Sequence, residues 1–216
     1  MLKIRVIKMV RIKICGITNW EDAELSVKLG VDALGFVFAK SPRKITPQKA
    51  FRIIKNLPPF VFTVGVFVNE DLKKIKRIVK FCRLNAVQLH GEEDPLFCKR
   101  IREFTKVIKA FRIKDERDLD NLINYEVDGY LLDTYTEEAY GGTGKTFDWE
   151  LAIRAKKILG GRPLILSGGL NPKNVSEAIR KINPFAVDVS SGVESFPGKK
   201  SKLLLTKFIK SVKNIP

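Results

Sequence analysis

Histidine occurs once in these 216 residues and cysteine three times, at Cys15, Cys82 and Cys98, with no Cys-x-x-Cys spacing. So small a supply of soft ligands argues against a zinc site. An odd number of scattered thiols is also no disulfide framework, and it fits a reducing, cytoplasmic compartment. Long apolar runs are missing as well. Phe60 to Val68 is the longest, but Thr63 and Gly65 interrupt it and it falls far short of the ~20 residues that a bilayer crossing needs. No membrane association is expected. The opening MLKIRVIK is basic and apolar but too short for the apolar region of a signal peptide, and no small-residue cleavage site follows it. Met9 begins MVRIKICGI, so residues 1–8 read as an N-terminal extension and residues 9–216 as one domain.

Acidic residues are scarce beside basic ones, 24 against 40, leaving a net charge of +16. Such a surplus raises binding to nucleic acid or an anionic membrane. Yet no five or six basic residues run together: the lysines are spread over helix faces such as Leu72 to Lys80 and then along Lys199, Lys200, Lys202, Lys207, Lys210 and Lys213. A solvated face accounts for them, and no nucleic-acid partner is expected. Glutamine and methionine occur twice each while 30% of residues are charged, a composition resembling that of thermophile proteins.

What the chain does have is one theme repeated eight times: a short β-branched or aromatic run, a glycine or polar turn, and an amphipathic stretch. The strands read as Arg11–Cys15, Ala33–Phe38, Phe60–Val68, Ala86–Leu89, Val107–Phe111, Gly129–Leu132, Pro163–Leu166 and Ala186–Val189. The helices read as Trp20–Leu29, Pro47–Asn56, Asp71–Phe81, Pro95–Phe104, Glu116–Ile123, Asp148–Leu159, Pro172–Ile182 and Lys202–Val212. Each crossover helix returns the chain to the same end, so the sheet is parallel. The expected fold is α/β, a single-domain (β/α)8 TIM barrel with a parallel eight-stranded core; an open sheet satisfies the same pattern.

In such a barrel the chemistry lies in the loops after the strands. Cys15 ends the first strand, where a thiol is either a reactive group, lowered toward neutrality by nearby cations or a helix start, or a small buried hydrophobe. Asp133 ends the sixth, YLLD. Burial there is costly unless the carboxyl is used or paired, and it could raise the pKa enough to leave a general acid. SGGLNP, with Gly168 and Gly169, follows strand seven, where Asn171 can cap a helix that Pro172 opens. DVSSGVE, with Asp188, Ser190 and Gly192, follows strand eight. Two glycine turns in these positions suit a phosphate. Strands seven and eight lie between six and one around a closed ring, so a sugar phosphate held there would set its ring between Asp133 and Cys15. Arg43 offers a fork for a carboxylate or is simply solvated. His90, with Gln88 beside it in VQLHG, lines the site or makes a structural hydrogen bond. Cys82 and Cys98 fall inside helices as packing residues. GGTGKT lacks the first glycine of a nucleotide-binding loop, Ala139 standing there, so Glu137–Phe147 reads as a flap over the barrel mouth or a plain surface loop.

KICGIT, GFVF with Arg43 downstream, VGVFVN, VQLHG, LLDT, GGTGKTFDW, LSGGLNP and AVDVSSGVE, taken in this order from about Met9 to Lys200, resemble the phosphoribosylanthranilate isomerases of tryptophan biosynthesis. The resemblance implies a barrel that performs an Amadori rearrangement by general acid-base catalysis without a cofactor. It further implies Asp133 as the acid that opens the furanose ring and Cys15 as the base that takes the proton from the neighbouring carbon. Arg43 would then meet the anthranilate carboxylate, with Gln88, His90, Gly168, Gly169, Asp188, Ser190 and Gly192 around the substrate. The implied partner is a small phosphorylated substrate, and a homodimer is compatible with this reading. Two alternatives keep the fold and change the substrate, to that of indole-glycerol-phosphate synthase or of the histidine-pathway isomerase; Cys15 with Asp133 argues against both. A nucleic-acid-binding or scaffolding barrel would need no Cys15.

Overall fold

A computed structural model describes residues 9–134 and 149–215. Within them eight parallel strands close in sequence order: β1 (Arg11–Ile14), β2 (Ala33–Val37), β3 (Phe62–Phe67), β4 (Ala86–Leu89), β5 (Lys106–Ile113), β6 (Gly129–Thr134), β7 (Leu164–Leu166) and β8 (Ala186–Val189). β8 lies against β1 with Arg11 opposite Ala186 and Lys13 opposite Asp188, which removes the open-sheet alternative. The extension at residues 1–8 and the flap at Glu137–Phe147 fall outside the described residues.

Around the barrel run α1 (Trp20–Lys28), α2 (Pro47–Ile54), α3 (Leu72–Cys82), α4 (Pro95–Arg102), α5 (Trp149–Ile158), α6 (Val175–Ile182) and α7 (Lys202–Lys213). Their starts follow local chemistry. The side chains of Asn19, Thr46, Asp71, Asp94 and Ser201 each accept a backbone N–H of the first turn, and Pro47 and Pro95 occupy the first turn, where no N–H is missed. No helix among the described residues is long and apolar enough to cross a membrane.

Three segments depart from the sequence pattern. Glu116–Asn124 is a 3-10 helix. Its Asp-rich sequence competes for the backbone, Asp118 Oδ2 accepting from the N–H groups of Lys114 and Asp115. α6 starts at Val175, three residues later than expected, because Asn171 Oδ1 accepts from the Lys173 N–H in a local turn instead of capping a helix. After β8 the chain makes a 3-10 turn, Ser191–Val193, then a small antiparallel hairpin, β9 (Glu194–Phe196) and β10 (Lys199–Lys200), before α7.

Strand periodicity splits the interior into layers. Ile12, Ile14, Leu34, Phe36 and Leu89 face the helices in the main core. The alternate residues point into the barrel: Val64, Ala86, Ile108, Ala110, Leu131, Ile165 and Ala186 fill one inner layer, and Cys15, Val37 and Val66 form another. Cys82 and Cys98 are fully buried packing residues, as their helical positions suggested.

One buried ion pair holds the loop that carries His90. Lys109 Nζ, on β5, lies 3.2 Å from Glu93 Oε2 and donates to the carbonyl of Gly91 at 2.7 Å, while Glu93 accepts from the N–H groups of Asn69 and Gly91. Removing one partner leaves the other charge in a dry interior. Glu93→Ala is therefore expected to lower the unfolding free energy by about 3–5 kcal/mol, measured by urea denaturation; a loss under about 1 kcal/mol would contradict this reading of the pair.

Candidate active site

The carboxyl-terminal mouth of the barrel encloses a cavity of about 330 Å³. Cys15, Arg43, Gln88, His90, Asp133, Ser167, Asp188 and Ser190 line it, together with Lys40 and the smaller Val37, Ala39, Ser41, Val66 and Val68. Most of these are the inward-facing residues at or just past the ends of β1, β2, β3, β4, β6, β7 and β8, which is where strand alternation puts them.

Cys15 is pinned by its backbone. Its N–H donates to the carbonyl of Val189, and the N–H groups of Gly16 and Ile17 both donate to the carbonyl of Gly35. The thiol fits because Gly35 has no side chain: a Cβ there would come within 2.8 Å of Cys15 Sγ and 3.2 Å of Lys13 Nζ. Gly16, at φ +78, leaves room in the same way for Arg43 Cδ and Ser190 Oγ. Burial pushes the Cys15 thiol up from its ordinary value; Lys13 and Lys200 pull against this, and the Asp188 carboxylate adds to it. The expectation that cations would bring this thiol toward neutrality is thus corrected, since the desolvation of a deeply buried sulfur outweighs them.

Lys13, on the same face of β1, lies 2.9 Å from Asp188 Oδ1, and both side chains are buried. Burial alone would lower the lysine, but Asp188 and the Cys15 sulfur reverse this and hold it above its usual value. Across the cavity, Gln88 Nε2 lies 3.0 Å from His90 Nδ1. An amide nitrogen only donates, so this places the ring proton on Nε2, 3.2 Å from Asp133 Oδ2. Neither His90 Nε2 nor Gln88 Oε1 completes a hydrogen bond among the described residues, although both atoms are buried. His90 Nε2 has the Asp133 carboxylate beside it, whereas Gln88 Oε1 is a buried acceptor on a residue that lines the cavity, which suits a polar occupant.

Arg43 is not simply solvated. Its Nε and Nη2 grip Glu194 at 2.7–3.1 Å, leaving the Nη1 side of the fork. Glu194 Oε1 also accepts from Lys200 Nζ at 2.9 Å, and that ammonium donates on to the carbonyls of Cys15 at 2.6 Å and Ser190 at 3.2 Å. Burial lowers Lys200 despite Glu194, while Arg43 and Lys200 together overcome burial and hold Glu194 below the usual carboxylate range.

The two glycine turns meet each other. Gly192 sits against the backbone carbonyl of Leu170, where a Cβ would collide. Gly168 and Gly169 have φ of +82 and +66, and their N–H groups donate to no other described residue. The cavity wall itself is made by Ser167 and Ser190 rather than by the glycines. Lys13, Gly35, Glu194 and Lys200 were not singled out from sequence. Lys13 shares a strand face with Cys15, a signal that could have marked it, but Lys200 reaches the site only through the hairpin after β8.

A family model described as N-(5'phosphoribosyl)anthranilate (PRA) isomerase matches residues 12–211. The chain belongs to this family. A curated N-(5'-phosphoribosyl)anthranilate isomerase from Thermotoga maritima is 56% identical over 208 residues, covering 96% of this chain and all of its own. The crystal structure of phosphoribosyl anthranilate isomerase from the same organism superposes with a TM-score of 0.89 at 54% identity, covering 95% of this chain and 99% of that one. Two further structures, each at a TM-score of 0.86, cover 95% of this chain and 99% of their own. One, 52% identical, is a complex with reduced 1-(o-carboxyphenylamino)-1-deoxyribulose 5-phosphate. The other, 51% identical, holds monomers generated from the dimeric enzyme of Thermotoga maritima.

The Arg43–Glu194–Lys200 network yields a pH dependence. Glu194 is held below the 4.5 of a free side chain, so the unfolded chain takes up this proton at a higher pH than the folded one. The stability that Glu194 contributes is complete above about 4.5 and is lost as the pH falls through the lower folded value. Glu194→Gln should cost about 3 kcal/mol at neutral pH. Urea titrations of parent and variant should converge as the pH falls from about 4.5 through the lower folded value; a gap independent of pH would refute the assignment.

Proposed function

We propose that the chain catalyses the Amadori rearrangement of N-(5'-phosphoribosyl)anthranilate to 1-(o-carboxyphenylamino)-1-deoxyribulose 5-phosphate, in the cytoplasm, as a step of tryptophan biosynthesis. The observation that carries this reading is that Cys15 from β1 and Asp133 from β6 open into one cavity, with the turns after β7 and β8 between them. The family relationship and the relative bound to the reduced product support it.

The chemistry follows from the placement. The phosphate accepts from the unspent N–H groups at Gly168 and Gly169, with Gly192, Ser190 and the free edge of the neighbouring turn completing the cradle. The anthranilate carboxylate meets the open Nη1 side of Arg43, whose other side Glu194 already holds. Asp133, as the acid, gives its proton to the furanose ring oxygen; the anomeric C–O bond breaks and the nitrogen lone pair forms a protonated Schiff base. Cys15, as thiolate, takes the proton from the adjacent carbon, and that C–H pair becomes the C=C bond of an enolamine while the nitrogen regains its lone pair. The enolamine relaxes to the ketone by losing its hydroxyl proton and gaining one at the former anomeric carbon, and solvent returns Asp133 and Cys15 to their starting states. Gln88 and His90, which line the cavity, contact the sugar hydroxyls. His90 also orients Asp133, and Asp188 acts from behind Cys15.

Turnover of phosphoribosylanthranilate, followed by fluorescence, should fall at least 10²-fold in Cys15→Ala and in Asp133→Asn, as for loss of a general base or acid. Unchanged rates in both folded variants would remove the mechanism.

We further propose a homodimer through the opposite, amino-terminal mouth. Phe60, between α2 and β3, is fully exposed and held at φ +72, a strained conformation for a bulky residue. It borders a second cavity lined by Phe62, Val64, Ile108, Ile165 and Phe185. A second copy on this face would bury the ring. Sedimentation should show a dimer for the parent and a shift to monomer for Phe60→Ser, and a monomeric parent would overturn the proposal.

A further inference from the structure

The Cys15 sulfur stands where a thiolate is hard to form: it is buried, it shares the barrel interior with a carboxylate, and the chemistry asked of it needs the thiolate. Charged groups approach it from every side. Lys13 comes from β1 itself, Asp188 from β8, and Lys200 from the hairpin strand β10 by way of the Cys15 carbonyl; Glu194 and Arg43 stand behind Lys200. Lys40, Asp133 and His90 line the same cavity. Most of these charges are committed elsewhere. Lys200 is held to Glu194 and two carbonyls, and Arg43 to Glu194.

Lys13 differs. Among the described residues its ammonium lies between Asp188 Oδ1, at 2.9 Å, and the Cys15 sulfur, with which it also makes a side-chain hydrogen bond. The glycine that makes room for Cys15 makes room for Lys13 too, because a methyl at Gly35 would touch both Cys15 Sγ and Lys13 Nζ. The ammonium thus links the sulfur to the Asp188 carboxylate inside the barrel.

We propose that Lys13, clamped by Asp188 directly across the β1–β8 seam, is a positioning residue that supports the Cys15 thiolate during proton abstraction. The thiol gives its proton to solvent before the substrate is bound, leaving a thiolate facing an ammonium. The thiolate then accepts the substrate's C–H proton and becomes a thiol while Lys13 keeps its own protons throughout. Asp188 fixes the lysine in place, and its negative charge tempers the effect, so the cation holds the sulfur near ionisation without making the thiolate too stable to act as a base. This inference rests on the reading of Cys15 as the base.

The test reads the sulfur directly. Alkylation of the folded protein by iodoacetamide is followed against pH, with the Cys15 peptide quantified by mass spectrometry so that Cys82 and Cys98 do not contribute. Lys13→Met should slow labelling of Cys15 at pH 8 by about tenfold or more, a one-unit rise in the midpoint. It should also lower kcat with little change in KM. Asp188→Asn, which removes the anion and leaves the lysine, should move the labelling midpoint the opposite way, and Lys13→Arg should restore much of the parent profile. A purely structural role would not shift the two midpoints in opposite directions. Should Lys13→Met fail to fold, judged by circular dichroism and a cooperative melt, Asp188→Asn and Lys13→Arg carry the test. Parent-like midpoints in the folded variants would overturn the proposal. Full activity in Cys15→Ala would instead overturn the reading of Cys15 as base, which the labelling profile does not address.

Discussion

A lysine and an aspartate face each other across the seam where the barrel closes. Lys13 and Asp188 are direct partners in the β1–β8 register and are buried together, 2.9 Å apart. A pair of this kind is tolerated only with close geometry, because taking either charge out of water alone costs several kcal/mol. The site depends on that closure. Without β8 beside β1, Asp188 would have no cation and Lys13 no anion to hold it beside Cys15, and the turns after β7 and β8 would not stand between Asp133 and Cys15.

Around the seam, the charges are arranged in order of commitment. Glu194 takes the Nε–Nη2 edge of Arg43 and one bond from Lys200, which then secures the carbonyls on either side of the seam, at Cys15 and Ser190. These groups make the backbone under the thiol rigid and, among the described residues, leave Nη1 of Arg43 without a hydrogen-bond partner. On the far wall Gln88 sets the tautomer of His90, and His90 lies against Asp133. Cys15 and Asp133 are thus each backed by a neighbour whose own position is held by another strand, an arrangement that keeps the side chains at the mouth in place at little conformational cost.

Eight strands, eight intervening segments, the site-bearing ends of the strands and the residues Cys15, Asp133, Gln88, His90 and Arg43 were legible in the sequence. Strand burial has a period of two, and a cysteine, a carboxylate or a Gly-Gly pair at the end of an apolar run stands out against it. The start of α6 was misread because Asn171 and Pro172 carry the cap pattern of a helix but are consumed by a turn. Glu116–Asn124 was misread because its aspartates bind the backbone locally and favour the tighter helix. Lys200 was invisible, since a lysine in Gly-Lys-Lys on a polar stretch looks like any surface residue until the β9–β10 hairpin folds it beneath Cys15.

By itself the sequence determined the order of elements, their inward and outward faces, and which reactive groups end each strand, because these depend on neighbours two to four residues apart. Only the tertiary structure decided that β8 closes on β1, that Gly35 makes room for two side chains at once, and which way the Cys15 thiol shifts. Those outcomes turn on groups up to 185 residues apart, as between Lys200 and Cys15, and on the loss of water that occurs only when the ring is closed.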